Sequence, residues 1–336
     1  MTAVRPAPTR DAASPLLEVR DLSVLFRTGG QSLGAVNGVD FQLALGETLS
    51  VLGESGSGKT VTMRALMRLL PSTAAIAGRV MLDGIDVTGL DADGLRAIRG
   101  TKVAMVFQDP MTALDPAFRI GNQIAEVVVC HEGVSWSVAR ARALEMLEMV
   151  QIPSARRRLD AYPHELSGGL RQRAMIALAL SCRPKLLLAD EPTTALDATV
   201  QVQILLLLRE LQREFGMAMI FVTHDLGVAC EIADRVAVMY AGRIVEAGAI
   251  VDMIDSPRHP YTIGLLNSTV HAGTRKGRLT PIPGAPPDLS EMLPGCAFAP
   301  RCSRAIPACC ERVPALVEFE PGRLARCPRI TEANVD

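Results

Sequence analysis

The sequence predicts an α/β fold with a mostly parallel sheet, a helical insertion and a small cysteine-bearing C-terminal extension. Three observations support this class. Short, continuously apolar runs alternate with helical stretches, as expected for strands that are covered on both faces. Residues 111–173 show helical periodicity and few strand-like runs. Five of the eight cysteines lie at or beyond Cys296.

Composition narrows the possible functions. The 336 residues include 35 Lys and Arg against 36 Asp and Glu, so the formal net charge is -1. A DNA-coating protein needs a basic excess to displace counterions, and 4% aromatic residues are too few for a base-stacking platform. We therefore expect no nucleic-acid partner. With 49% hydrophobic residues, the chain can bury a large core, as two domains or as one domain with an appendage.

The expected elements follow in chain order. Residues 16–26 alternate as a strand does, 48–52 form a short apolar strand, and 61–70 form a helix that stops at Pro71. Further strands are predicted at 103–107, 186–189, 217–222 and 236–239, and helices at 139–150 and 170–180. Between residues 275 and 300 prolines replace periodicity, which indicates an extended connector.

Residues 1–15 are rich in Ala and Pro and predict a flexible tail. They contain no apolar segment typical of a signal peptide. No run approaches the roughly 20 apolar residues that span a bilayer. We therefore expect a cytoplasmic protein whose thiols are reduced unless they bind a metal.

A glycine-rich loop separates the strand at 48–52 from the following helix. It matches the pattern G-x-x-x-x-G-K-S/T with Gly53, Glu54, Ser55, Gly56, Ser57, Gly58, Lys59 and Thr60. Glycines let backbone N–H groups approach phosphate, and the helix N-terminus adds positive potential. Lys59 then reaches the β- and γ-phosphates of a nucleotide and Thr60 binds Mg²⁺. The flanking strand and helix favour this reading over a glycine-rich turn with an incidental lysine.

Polar residues also follow three other predicted strands. Asp190 and Glu191 end the strand at 186–189, where Asp190 can orient Mg²⁺ and Glu191 can act as general base towards water. His224 ends the strand at 217–222 and can contact the γ-phosphate or hold Glu191. Gln108 follows the strand at 103–107 and can sense Mg²⁺ or the attacking water. In isolation, the acidic pair could be a helix cap and His224 a structural histidine.

Residues 166–173 read L-S-G-G-L-R-Q-R and resemble the signature motif of ABC-transporter ATPases. The fifth position, usually Gln, is Leu170, as is typical of the peptide-transporter branch. The order of phosphate loop, Gln108, signature, acidic pair, Asp197 and His224 is also that of this family. The resemblance implies a RecA-like P-loop ABC ATPase core at 16–255, with a helical subdomain at about 111–173.

In this family, ATP binds between two ATPase subunits. The resemblance implies that Phe26 stacks on adenine. It also implies contacts with the ATP of the opposite subunit from Ser167, Gly168, Gly169 and Asp197, the last of which ends the D-loop (195–197). Because the chain has one phosphate loop and one signature, it needs a second ABC ATPase subunit, either a related chain or a copy of itself.

The cysteines Cys296, Cys302, Cys309 and Cys327 have the spacing C-x5-C-x6-C-x17-C. This region and residues 258–262 resemble the C-terminal extension of oligopeptide and dipeptide ABC ATPases, where four cysteines can hold a 4Fe–4S cluster. Four thiolates also suit zinc, but the paired C-x2-C knuckles common in structural zinc sites are missing. Unliganded buried thiols are the third alternative. Cys310 is the spare cysteine.

These features predict an ATPase that powers import of di- or oligopeptides, with residues 256–336 as its C-terminal extension. The resemblance implies docking on two transmembrane permease subunits at the cytoplasmic face of the bacterial inner membrane. An extracytoplasmic substrate-binding protein would deliver the cargo. An importer of nickel or another small solute is the main alternative. Two other classes are disfavoured. Soluble ABC ATPases usually carry two cassettes or a long coiled coil, and exporters commonly fuse the ATPase to membrane spans; the sequence shows none of these features.

Overall fold

The computed structural model describes residues 14–28, 31–194, 196–268, 281–289 and 294–330. The tail predicted at 1–15 therefore lies outside the described residues, apart from its last two. The strands are β1 (Leu17–Thr28), β2 (Gln31–Leu43), β3 (Thr48–Leu52), β4 (Ala74–Leu82), β5 (Ile85–Asp86), β6 (Val103–Val106), β7 (Leu186–Asp190), β8 (Ala218–Thr223), β9 (Arg235–Tyr240), β10 (Arg243–Ala249), β11 (Val317–Glu320) and β12 (Arg323–Ala325).

The α-helices lie between these strands, four of them in succession between β6 and β7. They are α1 (Lys59–Leu66), α2 (Ala92–Ile98), α3 (Ile120–Glu132), α4 (Trp136–Met149), α5 (Ala155–Arg158), α6 (Gly168–Leu180), α7 (Ala198–Phe215), α8 (Leu226–Ile232), α9 (Ile250–Asp255), α10 (Pro260–Ser268) and α11 (Ala308–Glu311). Within the described ranges, none of them is both long and apolar enough to cross a membrane.

The larger sheet has the strand order β11-β12-β10-β9-β3-β8-β7-β6. Its segment from β9 to β6 is parallel, and β10, β12 and β11 add antiparallel strands at one edge. Every residue of β3, β7 and β8 is buried, because helices cover both faces of the sheet. The mostly parallel sheet and its predicted strands are confirmed.

A smaller antiparallel sheet has the order β2-β1-β4-β5. Only β1 was predicted from the sequence. β4 was not, because it alternates between half-buried and exposed residues over much of its length and lacks a continuous apolar run. The buried face of this sheet packs on α1 through Val24, Val80, Met63 and Leu66. It thereby places Phe26 beside the loop that precedes α1.

The segment predicted as a helical insertion is helical in the structure. Between β6 and β7, which the structure describes without a gap, the chain forms α3 to α6 and short 3-10 turns but no strand. Its core includes Ile124, Met146 and Met175, all fully buried. The insertion carries the N-terminus of α6, which begins directly after Ser167.

The C-terminal region is attached to the core sheet. β12 pairs with β10, with Glu246 opposite Ala325, so two extension strands continue the sheet of the core. Neither strand was predicted from the sequence, because they contain only four and three residues. The extended connector predicted between 275 and 300 is described only in part, and residues 281–289 contain neither helix nor strand.

The start of the extension is fixed by a buried carboxylate. Glu246 on β10 accepts hydrogen bonds from the backbone N–H groups of Arg258 (2.7 Å) and His259 (2.9 Å). Nδ1 of His259 accepts from the N–H of Tyr261 at 3.1 Å. Burial lowers the pKa of His259 to about 3, which leaves this nitrogen unprotonated and able to accept at neutral pH. These bonds set the position of α10.

Candidate functional site

The loop between β3 and α1 depends on two glycines. Gly58 has a φ of 100°, and a Cβ added there would lie 2.5 Å from the carbonyl oxygen of Ala35. A Cβ added to Gly53 would lie 2.2 Å from the carbonyl oxygen of Met239. A side chain at either position would therefore displace the backbone behind the loop. Ser57 is buried at the turn, where its N–H donates to the carbonyl of Glu54 at 3.2 Å.

Lys59 lies over this loop. Its side chain is only 4% exposed, and Nζ donates to the carbonyl oxygens of Gly53 (2.7 Å) and Glu54 (2.9 Å). The carboxylate oxygen Oε1 of Glu191 lies 4.0 Å away. Burial lowers the pKa of Lys59, while the nearby acids Glu191, Asp190 and Glu54 oppose the shift. The ammonium group is therefore a poorly solvated cation within reach of an anion at the loop.

The hydroxyl of Thr60 and the carboxylate of Asp190 meet beside Lys59. Oγ1 of Thr60 donates to Oδ1 of Asp190 at 2.8 Å. Asp190 is the last residue of β7 and is buried. Burial raises its pKa, and the bond from Thr60 lowers it again in part. Oxygen ligands of this kind suit Mg²⁺, which typically takes one or two carboxylates together with phosphate oxygens.

Glu191 is held in an unusual backbone conformation. Its φ of 45° lies in the left-handed region, which is uncommon for non-glycine residues. Its N–H donates to the carbonyl of Val222 on β8 at 3.1 Å. Oε2 accepts from Oγ1 of Thr194 at 2.8 Å and lies 3.3 Å from Nδ1 of His224. Thr194 and His224 thus fix the carboxylate close to Lys59.

Lys59, Thr60, Glu191 and His224 line an open cavity of about 810 Å³, a volume typical of small-molecule sites. The predicted residues in its wall are Phe26, Glu54, Ser55, Gly56, Gly58, Lys59, Thr60, Gln108, Glu191 and His224. Gly53, Ser57 and Asp190 are buried behind the wall. Leu265 of α10 and Leu289 also line the cavity, so the C-terminal region contributes to it.

The signature residues lie elsewhere. Ser167, Gly168 and Gly169 form the start of α6, with Ser167 and Gly168 exposed, and they do not line this cavity. Asp197 is also exposed and caps α7 by accepting from the N–H of Val200 at 3.0 Å. Ala195 of the D-loop lies outside the described residues. Within one chain the signature is therefore separate from the phosphate loop, as expected if it serves an opposite subunit.

Sequence reasoning missed three residues of the site. Thr194 supports Glu191, and both Tyr261 and Arg301 bond to Glu54. Arg301 is 247 positions from Glu54, and no local pattern connects them. The only signal was the position of Arg301 next to Cys302 in the C-terminal extension.

The four candidate metal ligands, Cys296, Cys302, Cys309 and Cys327, line one small cavity together with Arg304 and Arg329. Cys310 is exposed outside it. Burial raises the pKa of Cys296, Cys302 and Cys327, the last to about 11. Across the described ranges, no three His, Cys, Asp or Glu side chains are close enough to hold one metal ion. The cysteines thus share a cavity, but in this conformation they do not converge on a single point.

Two family models match the chain. Residues 36–194 match the family model for ABC transporters, and residues 245–309 match the model for the C-terminal region of oligopeptide/dipeptide transporters. The oligopeptide transport ATP-binding protein OppD of Salmonella typhimurium is 50% identical, over 94% of this chain and 94% of that protein. OppD of Escherichia coli is 49% identical, over 94% and 93%.

A solved structure extends the similarity to the fold. It is a dimeric ATP-binding cassette in a post-hydrolysis state, bound to ADP and Pi. It matches with a TM-score of 0.63 and 31% identity, covering 70% of this chain and 98% of that chain. The RecA-like P-loop core and the ATPase activity predicted from the motifs are confirmed. The chain belongs to the ABC-transporter ATPases, in the oligopeptide/dipeptide transporter group.

Proposed function

We propose that this chain is the ATP-hydrolysing subunit that powers import of di- or oligopeptides through a membrane ABC transporter. The observation that carries the proposal is the convergence of Lys59, Thr60, Glu191 and His224 on one cavity beside the buried Asp190. The oligopeptide/dipeptide match at residues 245–309 supports peptides as the cargo. Nickel or another small solute is the alternative cargo.

The geometry supports a role for each residue at this site. Lys59 binds the phosphates, and Phe26 contributes an aromatic ring to the cavity wall for adenine. Mg²⁺, when bound by Thr60 and Asp190, supplies positive charge at the β- and γ-phosphates. Glu191 accepts the proton of the attacking water.

Three further side chains assist the reaction. Thr194 and His224 orient the carboxylate of Glu191. Gln108, exposed in the cavity wall, faces the space for the water or metal.

Turnover requires a partner ATPase. Ser167, Gly168, Gly169 and Asp197 lie outside the cavity of their own chain, three of them exposed. A helix N-terminus with free N–H groups and a hydroxyl suits a γ-phosphate. We infer that α6 of one subunit contacts ATP on the loop of another, most simply a related ABC ATPase in a heterodimer. ATP then joins the two subunits, and hydrolysis releases them.

The membrane partners are two permease subunits, which receive cargo from an extracytoplasmic substrate-binding protein. The segment from Gln108 to Arg119 exposes two large apolar side chains, Met111 (39%) and Phe118 (56%). These two side chains are available for contact with a protein partner. We propose that the permeases dock here, which would place this chain peripherally on the cytoplasmic face of the bacterial inner membrane.

The cargo can be tested by uptake in a strain that lacks this chain. We expect uptake of a radiolabelled dipeptide or tripeptide to be lost and to return with the wild-type chain, because ATP hydrolysis drives translocation. Uptake of radioactive Ni²⁺ in the same cells serves as the control and should not change. Loss of nickel uptake with normal peptide uptake would assign the chain to the alternative cargo.

We also propose that Cys296, Cys302, Cys309 and Cys327 hold a 4Fe–4S cluster. Two observations support it: the four thiols line one cavity, and Arg304 and Arg329 lie there to offset thiolate charge. Zinc, which also binds four thiolates, is the alternative occupant. A cluster would tie together residues 296–327, within the proposed extension (256–336) of the ATPase domain (16–255).

Replacing one ligand tests this assignment. Protein purified without oxygen should contain about four iron atoms and absorb at about 400 nm. We expect Cys302→Ser to lose most of both signals, because a hydroxyl is a poor ligand for iron. Cys310→Ser is the matched control and should keep them, since Cys310 is exposed outside the cavity. Stoichiometric zinc without iron, or equal iron in both variants, would contradict the cluster.

A further inference from the structure

The second residue of the phosphate loop, Glu54, is held by two side chains from the C-terminal part of the chain. Its backbone N–H donates to the hydroxyl of Tyr261 at 2.9 Å. Its carboxylate accepts from Arg301 twice, Nη1 to Oε2 at 2.7 Å and Nη2 to Oε1 at 3.1 Å. A bidentate arginine–carboxylate pair is among the stronger and more directional contacts in proteins. Glu54 is therefore fixed through both its backbone and its side chain.

Arg301 is itself firmly placed. Its side chain is 5% exposed, and Nε donates to the carbonyl of Pro283 at 2.8 Å. Nη1 also donates to the hydroxyl of Tyr240 at 3.2 Å. The guanidinium carbon lies 5.8 Å from the ring centre of Tyr240 and 5.9 Å from that of Phe298. These contacts fix the direction in which the guanidinium faces the loop.

Tyr261 is equally constrained. It is fully buried, and its ring packs against Tyr240 at 4.5 Å and Phe298 at 5.4 Å between centres. Its backbone is tied to β10 through His259 and Glu246, as described above. The hydroxyl therefore reaches the loop from a rigid support.

This arrangement has an electrostatic consequence for nucleotide binding. Glu54 lines the cavity that receives the triphosphate, and an unpaired carboxylate there would repel phosphate. Arg301 neutralises that charge within hydrogen-bond distance. The same contacts hold the loop in one conformation before the nucleotide arrives, which reduces the ordering cost of binding.

We propose that Arg301 and Tyr261 are positioning residues of the ATP site, through which the docked C-terminal extension sets the affinity of the phosphate loop for ATP. They act through Glu54 and do not touch the reacting atoms. The role is independent of which cargo the transporter carries and of what the cysteines bind.

Arg301→Met in the full-length chain tests the proposal, with Arg312→Met as the control. Arg312 belongs to the same extension and is exposed. The dissociation constant for ATP, measured by displacement of a fluorescent nucleotide, should rise about tenfold, or about 1.4 kcal/mol. KM should rise with it, while kcat at saturating ATP stays within about twofold. An affinity equal to that of Arg312→Met, or a fall in kcat with unchanged KM, would overturn the proposal.

A second comparison tests whether Arg301 acts through Glu54. In a Glu54→Gln background, Arg301→Met should change the dissociation constant by less than about twofold, since the paired charge is already gone. The same tenfold loss in both backgrounds would show that Arg301 acts by another route. Tyr261→Phe keeps the aromatic packing and removes only the acceptor for the N–H of Glu54. It should weaken ATP binding about threefold, and unchanged binding would refute the part assigned to Tyr261, even if Arg301→Met fails to fold.

Discussion

Glu191→Gln should reduce ATP turnover by about a thousandfold while ATP binding persists. The amide is nearly isosteric and can keep contacts with Thr194 and His224, but it cannot accept the proton of the attacking water. The variant and its partner ATPase subunit should then remain joined by unhydrolysed ATP. Phosphate release gives the rate, and size-exclusion chromatography with ATP gives the state of association.

A suitable control for this variant is Glu214→Gln, at an exposed position on α7. It should hydrolyse ATP at the wild-type rate. Normal ATPase activity in purified Glu191→Gln protein would refute the assignment of Glu191 as general base. Loss of ATP binding in that variant would instead show that the carboxylate is needed to hold the nucleotide.

Lys59→Ala should abolish turnover and strongly weaken ATP binding. The substitution deletes the buried cation at the loop, and charged hydrogen bonds to phosphate contribute about 1.5–3 kcal/mol each. We therefore expect the dissociation constant for ATP to rise on the order of a hundredfold. Folding should be affected little, because the substitution also removes the cost of burying an ammonium group. Fluorescent-nucleotide titration and thermal melting measure the two effects.

Lys185→Ala provides a comparison in which a lysine is lost away from the cavity. Lys185 is half exposed and pairs with Asp83, so ATP affinity should be unchanged. Wild-type affinity in Lys59→Ala would contradict the phosphate-binding role of Lys59. The two main variants also differ in association: Lys59→Ala should prevent ATP-dependent pairing, and Glu191→Gln should preserve it.

The C-terminal region is structurally continuous with the ATP site. Phe298 lines the cysteine cavity and packs edge-on against Tyr240, with ring centres 5.3 Å apart and planes at 87°. Tyr240 in turn accepts a hydrogen bond from Arg301. The same aromatic cluster therefore supports both the cysteine cavity and the residue that holds Glu54.

The sequence by itself determined the parts of this protein that are encoded locally. The buried strands β3, β7 and β8 were readable because strands covered on both faces are apolar at every position. The phosphate loop was readable because its glycines and Lys59 must be adjacent in the chain to form one turn. The candidate residues Asp190, Glu191 and His224 were identified because polar residues that end parallel strands meet at one sheet edge.

Only the tertiary structure decided which distant residues meet. Thr60 bonds to Asp190 across 130 positions, and Arg301 to Glu54 across 247. Strands β11 and β12 are too short to show a periodic pattern. β12 forms because the edge of β10 offers it hydrogen-bond partners, and β11 pairs in turn with β12. The left-handed backbone of Glu191 is likewise imposed by its surroundings. These features depend on the path of the whole chain, because each partner becomes available only when the sheet brings remote segments together.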